Sequence, residues 1–409
     1  MNPSRDRLTV LAQIFKLIPP NLIPRLAREH GVSKRSRRFT PTSHVVSLMF
    51  AQVAHAISLN DVCDCLRHHS GGLTTMRGAV APSRNTLSNA NRVRNADMAE
   101  ALFWNVTGDL TRQNPGFALE GRRYRGIPRR FKRAISVADS STIRLVANCL
   151  DWAKHRRRKA AAKLHLRLNL QSFLPAFVLV RSARTNDLAE SYELCAGLRP
   201  GEIVVFDKAY VGFEHLNTLT ERGVFWVTRL KEGTKYRVVG QHSKPKGKII
   251  RDVRIELADR KTSRKYPGQL RLVEAMVEVD KKPRLMAFIT NNMEWAASSI
   301  CDLYKSRWGI EVFFKEIKQT LQIADFMGYN ENAVRWQIWI ALLVYVLLRF
   351  LAWRSKWRSS FTRLFTLVRG VLWSYLNVYS VLDCCGTARG PTRMRAAPEQ
   401  CYLPGLARV

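Results

Sequence analysis

A chain of 409 residues exceeds one ordinary domain, so two or three domains with ample apolar content for a core are expected. Lys plus Arg number 67 against 32 Asp plus Glu, a formal charge of +35 that repels itself unless a polyanion is near, and DNA or RNA is the partner such a balance points to. The opening MNPSRDRLTVLAQIFKLIPP lacks the apolar core and cleavage site of a secretory signal, and eight scattered cysteines fit a reducing compartment, so a cytoplasmic, nucleoid-associated protein is expected.

Residues 8 to 110 read as a run of helices within a helical DNA-binding or assembly domain expected over 1–120. LTVLAQIFKLI is amphipathic and stopped by Pro19-Pro20, and a second helix through LIPRLAREH ends at Gly31. Lys34-Arg35-Ser36-Arg37-Arg38 follows as a basic loop before the apolar helix around HVVSLMFAQVAHAI; in so basic a chain it reads as a phosphate contact. Cys63-Asp-Cys65 with His68-His69 has no second ligand pair, and cysteines two apart face different sides of a helix, so zinc is not expected. Ser83 reads as the cap of a helix carrying Arg84, Asn85, Asn89, Asn91, Arg92 and Arg94, side chains that read base edges and hold phosphates, so a DNA-contacting helix is expected there.

The pattern changes after GRRYRGIPRRFKR, a basic connector over 121–133. AISVAD reads as a strand ending at Asp139. KLHLRLNLQ alternates without a break, placing Leu164, Leu166, Leu168 and Leu170 on a buried face and Lys163, His165 and Arg167 on the face expected to meet solvent. LPAFVLVRSA reads as its neighbour, DLAESYELCAG as a helix capped near Asn186, EIVVFD as a buried strand ending at Asp207, GFEHLNTLTERG as a helix and VFWVTRLK as a strand. The order β-β-β-α-β-α-β predicts an α/β fold with a ribonuclease-H-like core, its first part over 130–231, in which the first and fourth strands lie side by side. Those two strands deliver Asp139 and Asp207. Arg229 and Lys231, at the end of the fifth strand, are candidates for holding DNA, with exposed strand-end charges as the alternative.

KYRVV, IIRDVRIELA and LRLVEAMVEV, separated by Lys, Gly and Pro-rich turns, predict an antiparallel β insertion over 232–283. RLMAFITN returns the chain to the core, whose second part, with a late helix, is expected over 284–335. A helical, basic C-terminal region is expected over 336–409. Its apolar run Ile338 to Leu348 falls short of the roughly 20 residues a membrane span needs and reads as a buried helix, so no membrane partner is expected.

The late helix, WAASSICDLYKSRWGIEVFFKEIKQTLQ over 295–322, carries the densest chemistry. At about 100° per residue, Tyr304, Arg307, Glu311 and Lys318 fall within an arc of roughly 60°. Leu303, Ile310, Phe314, Ile317 and Leu321 form an apolar stripe beside that row, so docking the helix leaves the polar row along a cleft edge. Lys305 and Glu316 lie far from the apolar stripe, as solubilising charges should. A carboxylate among an arginine, a tyrosine and a lysine suits a site that handles phosphate.

The spacing Tyr304-x2-Arg307-x3-Glu311-x6-Lys318 resembles the YREK signature of the insertion-sequence-family-four DDE transposases. VADSST and FDKAYVG resemble that family's first and second acid regions, and RRFTPTSHVVSLMFAQ and RNTLSNANRVR resemble a helical domain of unassigned function that precedes such enzymes. The resemblance implies catalytic, metal-holding roles for Asp139, Asp207 and Glu311, a grip on the phosphate beside the scissile bond for Arg307 and Tyr304, and a neighbouring phosphate for Lys318. Three carboxylates suit two Mg²⁺ ions, with Mn²⁺ able to substitute, and in-line displacement at phosphorus. Double-stranded DNA, as element ends and target, is the implied partner, and relatives commonly work as dimers on it. No GxxxxGK[ST] loop is present, so no nucleotide cofactor is expected. A ribonuclease-H-like nuclease without strand transfer, and a DNA-binding protein retired from catalysis, are the alternatives.

Overall fold

The computed structural model describes residues 2–32, 38–120, 131–145, 154–156, 159–182, 187–279, 282–321, 328 and 330–385. The basic loop residues 34–37, most of the connector and the expected cap at Asn186 lie outside them. Ahead of the first strand come α1 (Val10–Phe15), α2 (Leu22–Glu29), α3 (Pro41–Ala54), α4 (Leu59–His68), α5 (Ser70–Thr74), α6 (Arg84–Val93), α7 (Asp97–Gln113) and α8 (Pro115–Glu120). Local chemistry sets their starts. Thr40 accepts the Ser43 N–H with Pro41 in the first turn, Ser58 and Asp61 form a reciprocal capping box, and Ser83 accepts the Thr86 N–H. Gly31, at φ +68°, ends α2 in the left-handed conformation that glycine adopts most cheaply.

Strands β1 (Ile135–Leu145), β2 (Lys154–Arg156), β3 (Lys159–Asn169), β4 (Pro175–Ser182), β5 (Ile203–Phe206) and β6 (Phe225–Arg229) follow, with α9 (Asp187–Cys195) and α10 (Phe213–Glu221) as crossovers. β4, β3 and β1 pair antiparallel, and β1, β5 and β6 pair parallel. With β1 central, the first and fourth strands of the predicted run are neighbours, which is the strand order of a ribonuclease-H-like core. Alternate residues feed two cores: Val137, Ile203 and Val205 point to one face, Ala138, Val204 and Phe206 to the other.

Two expectations about these strands are corrected. β1 does not end at Asp139 but continues to Leu145, because SSTIRL pairs with β3 as far as Ala160. The second face of β3 does not meet solvent: α9 and the turn at Lys208–Tyr210 cover it, so His165 is fully buried, with Nδ1 3.4 Å from the Tyr210 hydroxyl, and Arg167 is buried too. Alternation identifies the two faces of a strand, but the helix that covers the second face is written elsewhere in the chain.

The insertion is a continuation of the same sheet. β7 (Tyr236–Gln241), β8 (Ile249–Leu257), β9 (Leu270–Val279) and β10 (Lys282–Thr290) are antiparallel, and β10 pairs with β6, so ten strands share one sheet. Arg271 and Asp252, both buried, tie β9 to β8 through two 2.8 Å hydrogen bonds. The short helix α11 (Arg260–Lys265), capped by Asp259, has no counterpart among the elements expected from the sequence.

The late helix docks as α12 (Ala297–Ser306), α13 (Trp308–Lys315) and a π turn over Glu316–Thr320. α14 (Glu331–Arg354), α15 (Phe361–Gly370) and α16 (Val378–Cys385) complete the described chain. Asn330 caps α14, whose side chains are buried almost without interruption from Ala333 to Leu351. Among the described residues, α14 is the one single helix long and apolar enough to cross a membrane, and it is spent on the interior. It packs on α3, α6, α7, α8 and α15, so the N-terminal helices and the C-terminal region share a core. Gln13 also donates to the Leu376 carbonyl at 2.7 Å.

Candidate active site

Residue Asp139 lies mid-strand on β1, and Asp207 directly follows β5. Because Ala138 pairs with Phe206 in parallel register, the next residue on each strand is an aspartate, and adjacent strands deliver both acids at one level, about 4.8 Å apart in backbone spacing. Glu311 comes from α13, which packs against β1. Between the three acids stands Arg307. Its guanidinium donates to Asp139 Oδ2 at 3.2 Å and to Glu311 Oε1 at 2.7 Å, and its charge also reaches Asp207.

Asp207 has two further partners. The Tyr304 hydroxyl donates to Oδ1 at 3.1 Å and Arg229 donates to the same oxygen at 3.3 Å. The guanidinium groups of Arg229 and Arg307 both lie over the Tyr304 ring, at 5.9 and 5.7 Å from its centroid. Lys318 donates to the Thr142 carbonyl at 2.6 Å, three residues farther along β1 from Asp139. Lys231 is exposed, yet its Nζ donates to the Val211 carbonyl at 2.8 Å.

These side chains meet along one edge, yet not by the straight helix that a uniform 100° step assumes. The α12–α13 junction falls at Arg307, where i to i+3 hydrogen bonds join Tyr304, Arg307 and Ile310, and the π turn then adds a residue to the cycle just before and through Lys318. Both irregularities rotate side chains relative to a regular helix. Glu316, expected to be a solubilising charge, is half-buried and 3.4 Å from the Tyr345 hydroxyl.

The electrostatics separate the acids. Burial pushes the Asp139 carboxyl up to about 6; the Ser140 N–H, at 2.7 Å, and Arg307 oppose the rise, while Asp207 and Glu311 add to it. Burial works on Asp207 in the same sense, but the Lys208 N–H, Arg307, Arg229 and the Tyr304 hydroxyl outweigh it and hold that carboxyl below its ordinary value. Tyr304 is pushed up to about 12 by burial and by Asp207, so its hydroxyl keeps its proton as a donor. Arg307 stays charged, with its Nε buried and without a hydrogen-bond partner.

Three carboxylates and no nitrogen or sulfur ligand make a donor set for a hard divalent cation. The mutual repulsion felt at Asp139 places the three charges within reach of one another. Among the described residues no three acids close on a single ion; Arg307 instead bonds both Asp139 and Glu311. The chemistry of the donors fits a metal.

Sequence reasoning missed Trp308. It stands next to Arg307 with 63 % of its surface exposed, a flat ring suited to stacking on a base. Its signal was present: on the helical wheel it falls among Lys305 and Lys315, away from the apolar stripe. The expected DNA-contacting helix forms as α6, capped by Ser83, but two of its named residues serve the fold. Asn91 is buried and its Oδ1 accepts from His44 Nε2 at 2.8 Å, and Arg94 donates to the Thr40 carbonyl at 3.2 Å and to that of Phe39. Burial and Arg94 push His44 down to about 3. Arg84, Asn85, Asn89 and Arg92 stay exposed. Cys63 is buried and Cys65 exposed, on different sides of α4.

Comparison with known proteins bears on this geometry. The family model described as "Transposase DDE domain" matches residues 130–347, and a "Domain of unknown function (DUF4372)" matches residues 6–76. The chain is 28 % identical over 326 residues to "Putative transposase y4zB" of Sinorhizobium fredii, covering 78 % of this chain and 86 % of that one. It is 28 % identical over 173 residues to the "Transposase InsG for insertion sequence element IS4" of Escherichia coli, covering 40 % and 38 %. A chain from the cryo-EM structure of the piggyBac transposase synaptic complex with hairpin DNA aligns at 12 % identity with a TM-score of 0.45, covering 97 % of this chain and 86 % of that chain.

Proposed function

The chain belongs to the transposase DDE domain family, whose members are divalent-metal-dependent enzymes acting on DNA, and from that premise we propose that it cuts the ends of an insertion sequence and joins them to target DNA. The observation that carries this reading is the convergence of Asp139, Asp207 and Glu311, from two adjacent parallel strands and a docked helix, around one guanidinium.

Asp139, Asp207 and Glu311 would hold Mg²⁺, two ions in this reading, with Mn²⁺ able to replace them. The ions supply activation of a water or 3′-hydroxyl and stabilisation of the leaving oxygen at phosphorus. The chain's own groups do the rest. Arg307, released from Asp139 and Glu311, turns its charge to the phosphate beside the scissile bond, and the Tyr304 hydroxyl, kept protonated by its surroundings, donates to the same group. Lys318 and Lys231 exchange carbonyl partners for neighbouring phosphates. Arg229 balances Asp207 until DNA arrives, and Trp308 stacks on a base at the cut end. Joining by transesterification conserves the phosphodiester bond energy, so no nucleotide cofactor is required. We place the reaction in the cytoplasm, on the nucleoid, with two copies bridging two element ends.

Incubating the protein with pre-nicked element ends, Mg²⁺ and a plasmid tests this. Joined products are expected. Cleavage without joining would make the protein a ribonuclease-H-like nuclease, and binding without either would make it a DNA-binding protein retired from transposition.

A further inference from the structure

A second cleft, of about 1120 Å³, opens between the π turn, the C-terminal end of α14 and the first turn of α15. None of the residues gathered around Arg307 lines it. Its wall carries Lys315, Arg349, Arg354, Lys356 and Arg358 against a single carboxylate, Glu316. Arg349 is the unusual member. It is 7 % exposed, and its Nε and one terminal nitrogen are buried without hydrogen-bond partners. Its guanidinium carbon instead lies 4.9, 5.5 and 5.8 Å from the ring centroids of Phe173, Tyr345 and Phe361. Aromatic faces offset part of the desolvation of a buried cation, but they leave its donors unused.

Two further features aim at the same space. Lys356 follows α14 with φ +51°, a left-handed conformation that a helix end normally gives to glycine, and thereby sets a cation in the wall at some conformational cost. Ser360, Phe361 and Thr362, the amino-terminal turn of the ten-residue helix α15, form the facing wall, where the helix dipole favours negative charge. Trp357, pinned by its Nε1 donating to the Ser360 carbonyl at 3.1 Å, supplies an apolar surface beside them.

We propose that this cleft binds the phosphodiester backbone of duplex DNA, as a grip separate from the catalytic centre, with Arg349, Lys356 and Arg358 on phosphate oxygens and the Trp357 ring against the sugars. This rests on the reading of the chain as an enzyme acting on DNA. Arg349, being fixed in its aromatic cage, sets the position, and the other cations add reach.

The test uses full-length Glu311→Gln protein in EDTA, labelled with 5-fluorotryptophan, with the Trp357 resonance identified by its loss in Trp357→Phe. A 20-base-pair duplex of arbitrary sequence is added, and binding is followed in parallel by anisotropy. The Trp357 resonance is expected to shift with duplex, and the shift is expected to vanish in Lys356→Gln/Arg358→Gln. The slope of log Kd against log salt should become shallower by roughly two, at about 0.9 for each phosphate that the double variant no longer neutralises. Arg349→Met, which keeps the caged stem and drops the charge, should weaken binding in the same sense, with its melting curve verifying the fold. A duplex that binds by anisotropy without moving Trp357 would overturn the proposal. So would a shift produced by inorganic phosphate at equal phosphate concentration, which would mark a free-anion site. A Trp357 shift with duplex, together with a failure of the wild-type protein to join pre-nicked ends in Mg²⁺, would leave this cleft standing and remove the strand-transfer reading instead.

Discussion

Replacing Asp139 by Asn in the metal-free protein should stabilise it above neutral pH. The carboxyl, with 21 % of its side chain exposed, has its proton affinity raised by burial from 3.8 to about 6. Above that value the folded state carries a charge that it disfavours by about two pH units, or roughly 3 kcal/mol at 1.36 kcal/mol per unit. Because the folded value is the higher one, the native state binds the proton better. The stability this group lends is present below about pH 4 and lost as pH rises through 6. Asn imitates the protonated form and keeps an oxygen for the Ser140 N–H. The gain should therefore be absent at pH 4, grow between 4 and 6, and be complete by pH 7.5. Spread over 409 residues at about 2.1 cal/mol/K each, it corresponds to a rise in Tm of roughly 3 to 4 °C. Thermal melts in EDTA from pH 4 to 8 measure it. A lower Tm than wild type at pH 7.5, or a difference independent of pH, would refute the reasoning, since the pairing with Arg307 would then outweigh burial.

Asp207→Asn and Glu311→Gln should each abolish cleavage of element ends while leaving their gel-shift binding within a few-fold; normal cleavage by either would remove that acid from the site. Tyr304→Phe deletes a hydrogen bond to ionised Asp207, so that carboxyl should titrate at higher pH and the acid limb of the pH–rate profile should move up with it, since a depressed carboxylate loses its advantage as pH falls; an unmoved limb would disconnect Tyr304 from Asp207. Trp308→Ala should change stability by less than about 0.5 kcal/mol, being at the surface, yet weaken binding to an end with an unpaired base by roughly 5- to 150-fold, the equivalent of one lost stack. Asp252→Ala should cost about 3–5 kcal/mol in denaturant melts because Arg271, 1 % exposed, would be buried without its partner; a loss under 1 kcal/mol would mean that water or another acceptor reaches it.

The positions of Asp139 and Asp207 were readable because each strand announces itself by alternation or by a short apolar run, and the parallel pairing of β1 with β5 then needs no long-range information beyond element order. The Ser83 cap acts within three positions and was equally visible, whereas the caps at Thr40 and Ser58 came from the structure. What stayed hidden depends on partners distant in sequence. His165 looked exposed because nothing near it encodes α9 lying over β3, and Asn91 and Arg94 looked free because their hydrogen-bond partners, at 44 and at 39 and 40, belong to another helix and its approach. The break at Arg307 and the π turn are shifts in backbone hydrogen bonding that a periodic wheel has no means to register. Arg307 itself appeared as a phosphate ligand; that it stands among the acids before any phosphate arrives came only from the structure.

The central burial of α14 carries a cost in time. On a ribosome adding about 5–20 residues per second, some 10–50 s separate the emergence of Glu120 from that of Arg354, and for that interval the early helices have no partner for the faces that α14 will cover. A message cut short anywhere in between yields a polypeptide with those faces bare, open to chaperones and proteases. A polypeptide that ends before α14 therefore lacks the partner on which its early helices pack.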